Sequence, residues 1–271
     1  MSTTEKPPGF EDSAFEKAAV SIDLPPSFDT VAEEREYRKV RLAGALRIIG
    51  SLGFAEGVAG HITARDPEHT DHFWVNPFGK SFRQMTVSDL ILVNPDGDVV
   101  SGTRPVNAAA YAIPNAIHTA RPEVVCAVHT HSIYGKAFAS TNLDLKMLSQ
   151  DACMFYNDWV RHREGGGAIV VDLAESSRMA EALIGKKALI HQNHGLITVG
   201  ETVDEAAWWF MALERACQVQ MIAEAGGEVT EVPAESAQFS YDQSGFPLAG
   251  WFQFQPHWED MVARDGIGWQ S

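Results

Sequence analysis

Three histidines in two short segments are the residues whose types and spacing fit metal chemistry in this chain. His129 and His131 are separated by one residue, and His194 stands between Asn193 and Gly195 further along. Residues two apart on a β-strand project from the same face, so both rings of the first pair can reach one ion. The sequence therefore predicts a divalent-metal site with His129, His131 and His194 as ligands.

A site made of imidazoles is expected to be open. Structural zinc sites are closed and usually rich in thiolate, whereas catalytic sites keep a position free for substrate. The chain has three scattered cysteines, Cys126, Cys153 and Cys217, too few for a disulfide framework. Cys126 lies three residues before His129 and so points to the opposite face of the strand. The cysteines are interpreted as buried apolar side chains in a reducing compartment.

Length and charge limit the partners of the chain. Its 271 residues suffice for one large α/β domain, expected at 33–228, with a loosely ordered N-terminal arm at 1–32. A C-terminal extension, 229–271, is expected to pack on the domain or on a neighbouring subunit. The net charge of −15 argues against nucleic acid or an anionic membrane as partner. With no signal-peptide profile and no membrane-length apolar run, a soluble cytoplasmic protein with a small-molecule substrate is expected.

Apolar periodicity predicts the elements that must position these residues. Helices are expected at 33–53, 107–120, 133–139, 176–183 and 203–225. Strands are expected at 57–65, 72–76, 90–100, 126–132, 167–172 and on both sides of His194. Gly195 is expected to let the backbone bend beside His194. The region after Gly226 has little periodicity and is expected to be extended.

The order of elements and the motifs together resemble the class II aldolase/adducin family over residues 35–228. The matching motifs are Glu56-Gly-Val-Ala-Gly-His-Ile-Thr-Ala-Arg-Asp66, Val75-Asn-Pro-Phe-Gly79, Ala120-Arg-Pro-Glu-Val-Val-Cys-Ala-Val-His-Thr-His-Ser132, Asn193-His-Gly195 and Asp204-Glu-Ala. The resemblance implies an α/β fold, a three-layer α/β/α sandwich with a central, mainly antiparallel sheet. It also implies a homotetramer with active sites at subunit interfaces, and one divalent metal ion (Zn, Fe, Mn or Co) bound by His129, His131 and His194.

The chain departs from aldolases of this family at the position of their catalytic glutamate. In those enzymes a Ser-Ser-Glu motif opens the helix before the HxH strand, and counting back from His129 places the alanines 108–110 there. Ala110, at the glutamate position, has no titratable group for proton transfer. The Gly-Asn pair of the family's phosphate pocket is Gly60-His61 here. A phosphorylated sugar substrate is therefore disfavoured.

Five further residues are candidates for substrate chemistry. His61 would serve as proton donor or hydrogen-bond partner, and a buried structural role fits it equally. Asp151 and Tyr156 lie where the family places residues near the metal cleft, and would act as acid or base or support the metal ligands. Lys80 could pair with a substrate carboxylate, although such a lysine usually lies on the surface, and Asn107 could line the pocket or cap its helix. The histidines interpreted as loop or packing residues are His69, His72, His162, His191 and His257.

Three imidazoles without a carboxylate leave the charge of a divalent ion available to the substrate. This favours a lyase, aldolase or decarboxylase that cleaves a C–C bond in a small unphosphorylated hydroxy-, keto- or aromatic acid. The alternative is a non-heme oxygenase that uses Fe(II) and O₂ for oxidative decarboxylation of an aryl keto or hydroxy acid. The family resemblance is compatible with this activity, because some members of the family are similar to such oxygenases. A second alternative, a non-catalytic adducin-like assembly module, is disfavoured because all three histidines are present.

Overall fold

The computed structural model describes residues 24–170 and 172–271. Most of the arm predicted at 1–32 therefore lies outside the described residues. The segment from Leu24 has no regular structure and leads to Thr30, whose hydroxyl accepts a hydrogen bond from the backbone N–H of Glu33. The Glu33 carboxylate accepts from the backbone N–H of Thr30 in return. This reciprocal capping fixes the start of the first helix.

Helices and strands alternate along the described residues much as the periodicity predicts. The helices, α1 to α7, are Val31–Ser51, Ala108–Ala120, Ile133–Ala139, Leu173–Ala182, Val203–Gly226, Ala234–Ser244 and Pro247–Asp265. The strands, β1 to β8, are His61–Arg65, Phe73–Val75, Ile91–Val93, Val99–Ser101, Cys126–Thr130, Trp159–His162, Ala188–His191 and Gly195–Gly200. Within the described ranges, no helix combines the length and apolarity that crossing a bilayer requires.

The strands form one eight-stranded sheet in the order β4-β3-β2-β1-β5-β8-β7-β6. Neighbouring strands are antiparallel except β6 and β7, which are parallel. Helices α1, α5 and α7 cover one face through a core that includes Leu46, Phe210 and Phe254. Helices α2 and α4 cover the other through Ile113 and Met179. The predicted three-layer sandwich with a mainly antiparallel sheet is confirmed.

The prediction of a strand at 167–172 is wrong for the residues of that range that the structure describes, 167–170 and 172. Residues Glu164–Gly167 form a short 3-10 turn in which Gly165 and Gly166 have positive φ, and Val170 packs among the side chains of α4. The edge strand beside β7 is instead β6, whose last residue, His162, lies five residues before the expected start at 167. Its Arg161 and His162 are buried by tertiary contacts with Phe138 and Glu175, which a local pattern does not reveal.

The C-terminal extension is helical rather than extended. Phe254, Trp258 and Met261 recur at helical spacing along α7 and pack into the core below α1 and α5. A Cβ on Gly44 of α1 would lie 2.1 Å from the Trp258 ring, so this crossing depends on the glycine. The sequence did not predict this helix, because α7 contains Pro256 and a proline inside a helix usually breaks it.

Candidate metal centre

The three predicted ligands meet at one end of the sheet. His129 lies on β5, His131 directly follows that strand, and His194 lies in the turn between β7 and β8. Their ring centroids are 5.2 Å (His129–His131), 5.0 Å (His129–His194) and 4.8 Å (His131–His194) apart. One ring nitrogen from each lies within 4.8 Å of the other two. The structure thus brings the set together, and metal binding by it stays a prediction.

The bend beside His194 is made by Asn193 and not by Gly195 as expected. Asn193 has φ of 58°, a left-handed conformation that asparagine tolerates better than most residues. Gly195 begins β8, where a Cβ would lie 3.1 Å from the carbonyl oxygen of Thr130 and 3.5 Å from the ring of His129. Glycine therefore matters here because it allows β8 to approach β5 closely.

Hydrogen bonds orient the ligand nitrogens. Nδ1 of His129 lies 2.8 Å from the carbonyl oxygen of Leu196, and a proton donated there leaves the lone pair of Nε2 for a metal. The Nε2 atoms of His131 and His194 are 3.2 Å apart. This separation suits two ligands of one cation, since Zn–N bonds are about 2.0–2.1 Å long.

Burial keeps the three rings neutral. It lowers the pKa of His129 well below its ordinary value, and the neighbouring imidazoles lower it further. Burial also lowers the pKa of His194, and that of His131, where Lys136 adds to the effect and Glu56 opposes it. Metal ligation requires neutral imidazole, so the electrostatics of the site fit a cation.

His61 lies beside this set but outside it. It pairs directly with His129 across β1 and β5, and the two ring centroids are 5.2 Å apart. Burial, together with His194 and His131, lowers the pKa of His61 to about 3. At neutral pH His61 is therefore a neutral imidazole with one N–H donor and one acceptor nitrogen, and its role as proton donor or substrate hydrogen-bond partner stays a prediction.

No hydrogen bond or ion pair among the described residues joins Asp151 or Tyr156 to the three rings. Asp151 lines a separate cavity of about 220 Å³ together with Trp208 and His257. Tyr156 packs against the core on the α1 and α5 side of the sheet. The structure does not place these two residues at the histidine cluster, and their roles in catalysis stay predictions.

Lys80 and Asn107 have structural partners. Lys80 forms an ion pair with Asp89 at 3.1 Å, which competes with the expected substrate carboxylate. Asn107 caps α2 by accepting a hydrogen bond from the backbone N–H of Ala109, and its side-chain amide donates to the carbonyl oxygen of Val58 at 3.5 Å. The capping role is observed, and the substrate-binding roles stay predictions.

Ala110, at the position of the aldolase glutamate, is fully buried in an apolar cluster below α2. The carboxylate that acts electrostatically on His131 is instead that of Glu56, which forms an ion pair with Lys136 of α3. Neither Glu56 nor Lys136 was among the predicted site residues. The available signals were the position of Glu56 at the start of a family motif and of Lys136 five residues after His131.

His162 and His191 were also missed as functional candidates. Both are buried, and the ring of His191 stacks on that of His194 with centroids 4.8 Å apart at 15°. The only local signal was the position of His191 three residues before His194. Apolar strand residues precede His191, which favoured a packing role.

The sequence profile of the class II aldolase and adducin N-terminal domain matches residues 40–221, and the chain belongs to this family. It is 46% identical over 243 residues to decarboxylase NovR of Streptomyces niveus, covering 89% of this chain and 90% of that protein. It is 45% identical to a 4-hydroxy-3-prenylphenylpyruvate oxygenase/4-hydroxy-3-prenylbenzoate synthase of Streptomyces roseochromogenus subsp. oscitans, covering 89% and 87% respectively.

A solved structure of an L-fuculose 1-phosphate aldolase from Glaciozyma antarctica PI12 matches with a TM-score of 0.85 and 45% identity. The match covers 91% of this chain and 97% of that one. The family and fold class expected from the sequence are thereby confirmed. The chain is an enzyme of the aldolase and decarboxylase class.

Proposed function

We propose that this enzyme cleaves the C–C bond beside the carboxylate of a small unphosphorylated keto or hydroxy acid, with an aromatic side chain favoured. The observation that carries the proposal is the meeting of His129, His131 and His194 without a carboxylate among them. One divalent cation, Zn, Fe, Mn or Co, would be held by these rings and would draw electrons from the breaking bond through the substrate's oxygen atoms.

The residues at the positions of the aldolase Ser-Ser-Glu motif support an unphosphorylated substrate. The match to a sugar-phosphate aldolase would suggest the opposite, but Ala108 and Ala109 have no hydroxyl groups to hold a phosphate, and Ala110 has no proton to transfer. The relatives named as a decarboxylase and a prenylphenylpyruvate oxygenase are as similar in sequence as that aldolase. Aromatic acids are therefore the first substrates to test.

Two groups beside the rings would position such an acid. Neutral His61 can exchange a hydrogen bond with a substrate oxygen next to His129. Lys136 pairs with Glu56 and acts on the pKa of His131, so its ammonium group is better placed for a substrate carboxylate than that of Lys80. When substrate binds, its carboxylate would replace that of Glu56 as the ion-pair partner of Lys136.

A substrate panel under controlled oxygen tests the proposal. Purified enzyme loaded with Zn, Mn or Fe(II) is given aryl pyruvates, aryl hydroxy acids, dihydroxyaromatic acids and L-fuculose 1-phosphate, with and without air. Turnover of an aromatic acid without oxygen is expected, and none of the sugar phosphate. Cleavage of the sugar phosphate in preference to every acid would contradict the proposal.

The oxygenase is the second candidate, and the relative named as an oxygenase at 45% identity favours it. It uses the same three ligands with Fe(II) and consumes O₂. Turnover of an aryl keto or hydroxy acid only with Fe(II) and air, matched by oxygen uptake, would select this candidate over the lyase.

We also propose a cytoplasmic homotetramer with sites at subunit interfaces. Val58 and Ile133, close in sequence to His61 and His131, are 54% and 66% exposed, as expected of apolar side chains that a second subunit covers. The cysteines are free and buried, which suits a reducing compartment. Light scattering should give the mass of four chains, and cell fractionation should recover the protein with cytoplasmic markers.

A further inference from the structure

A second cluster of ligand-type side chains lies next to the first. One donor atom each from His162, Glu175 and His191 lies within 4.8 Å of the other two. His162 ends β6 and pairs in register with His191 at the end of β7, while Glu175 comes from the first turn of α4 above them. The three residues are 6%, 7% and 1% exposed, respectively. The proposed reaction uses none of them.

No side chain among the described residues forms a hydrogen bond with the ring of His191. Nδ1 and Nε2 are both buried without a well-formed hydrogen bond, and the nearby backbone of Glu164 only partly opposes the lowering of the pKa of His191 by burial. Folded proteins satisfy nearly all buried polar atoms, so a buried imidazole of this kind is suited to bind a cation. Its ring is held in place by stacking on His194 at 4.8 Å and by an edge contact with His162 at 5.5 Å.

Glu175 contributes an oriented carboxylate. Its Oε1 lies 2.8 Å from Nε2 of His162, and its Oε2 forms an ion pair with Arg178. A Cβ on Gly165 would lie 2.7 Å from Oε1, so glycine at this position lets the 164–167 turn close over the carboxylate. Arg178 thus balances the charge of the Glu175 carboxylate at Oε2, while Oε1 faces the imidazoles of His162 and His191.

We propose that His162, Glu175 and His191 bind a second divalent cation, separate from the one at His129, His131 and His194. Two histidines and one carboxylate are a donor set that proteins use for Fe(II) and Zn. The cation would replace the proton shared by Nε2 of His162 and Oε1 of Glu175, and this proton would pass to solvent.

Burial assigns the second cation a supporting role rather than contact with substrate. Bound there, it would tie the ends of β6 and β7 to α4 and fix the ring of His191 against that of His194. The first centre would then be supported from behind by a second metal. This inference depends on the geometry of the three side chains and not on the reaction proposed above.

Metal stoichiometry tests the inference without an activity assay. Metal-free full-length protein is titrated anaerobically with Co(II), and bound cobalt per chain is measured by elemental analysis and by visible absorption. Wild type should bind two equivalents, and Glu175→Gln and His129→Ala one each. Arg178→Gln is the matched control, because it removes the partner of Glu175 but leaves the three donors, and it should still bind two.

One equivalent in the wild type, or two in Glu175→Gln, would overturn the inference. A Glu175→Gln protein that loses thermal stability but keeps its cobalt would also overturn it, since His162 and Glu175 would then be only a structural hydrogen-bonded pair. Circular dichroism establishes that each variant is folded. If Glu175→Gln does not fold, His162→Gln takes its place with the same expected loss of one equivalent.

Discussion

The two ends of the central sheet bury ionisable groups in different ways. At the histidine end, formed by His129, His131 and His194, neutral rings face one another. At the ionic end, formed by Asp158, Lys187 and Glu205, the ionisable groups border a cavity of about 620 Å³. The size of this cavity would by itself favour the ionic end as the functional site.

The hydrogen bonds argue for the histidine end. The ammonium group of Lys187 donates to the carbonyl oxygen of Gly245 and lies 3.2 Å from the Asp158 carboxylate. The carboxylate of Glu205 accepts from the indole N–H of Trp209 at 2.9 Å and from a backbone N–H at 2.7 Å. Partners within the chain satisfy the ionic end, so we infer a structural role for it. At the histidine end, one ring nitrogen from each of three neutral imidazoles faces the other two without a carboxylate among them, and this arrangement suits a cation.

The largest effect is expected from His129→Ala, which removes a predicted ligand from the histidine end. Bound metal should fall by one equivalent per chain and turnover by about 100-fold or more, because even groups that only orient metal ligands contribute about 10–100-fold. His69→Ala, at an exposed histidine, is the control and should change neither quantity. A His129→Ala enzyme with full metal content and activity would remove the distinction between the two ends.

The sequence could predict the cluster of His129, His131 and His194, but not the one formed by His162, Glu175 and His191. The first depends on local patterns in the chain, and the second depends on tertiary packing. The HxH pair at the end of β5 and the turn at His194 depend on strand alternation and on a short motif, so their convergence could be predicted. His162, Glu175 and His191 come from three separate elements without a shared motif. Their cluster depends on the register of β6 with β7 and on the position of α4, and neither is visible in a local pattern.

The second prediction concerns the ionic end. Lys187→Met leaves the carboxylate of Asp158 without its buried partner and should lower the free energy of unfolding by about 3–5 kcal/mol. Metal content should not change, because this end takes no part in ligation. Urea unfolding measures the first quantity and elemental analysis the second. The neighbouring Lys186→Met is the control, since Lys186 donates to an exposed backbone carbonyl and a much smaller loss is expected.

The third prediction is a pH dependence at the same end. Burial raises the pKa of Glu205 to about 7. A carboxyl whose folded-state pKa is raised stabilises the fold fully below its unfolded-state pKa, and this contribution is lost as pH rises towards 7. Between pH 5 and pH 8, Glu205→Gln should therefore gain about 2.5 kcal/mol relative to wild type. If the difference in unfolding free energy between wild type and Glu205→Gln stays constant over this range, the prediction is wrong. Glu205 would then be ionised throughout, with its charge balanced by its neighbours.

The smallest effect is expected at His118, a buried histidine that already has a partner. Nε2 of His118 lies 3.0 Å from the hydroxyl of Thr63, and burial lowers the pKa of His118 to about 3. A histidine whose folded-state pKa is lowered contributes stability above its unfolded-state pKa, and this stability is lost as pH falls. Between pH 6.5 and pH 5, wild type should lose about 2 kcal/mol more than His118→Gln.

Metal dependence separates His118 from the histidine end. The pH-dependent difference between wild type and His118→Gln should be the same with and without added Zn, because Thr63 already satisfies this ring. At His129, by contrast, a bound cation should resist protonation and move the acid transition of the wild type to lower pH. Added Zn could instead change the stability difference between wild type and His118→Gln and leave the acid transition of the wild type unmoved. In that case, a hydrogen-bond partner within the chain would not distinguish structural histidines from ligand-binding ones in this fold.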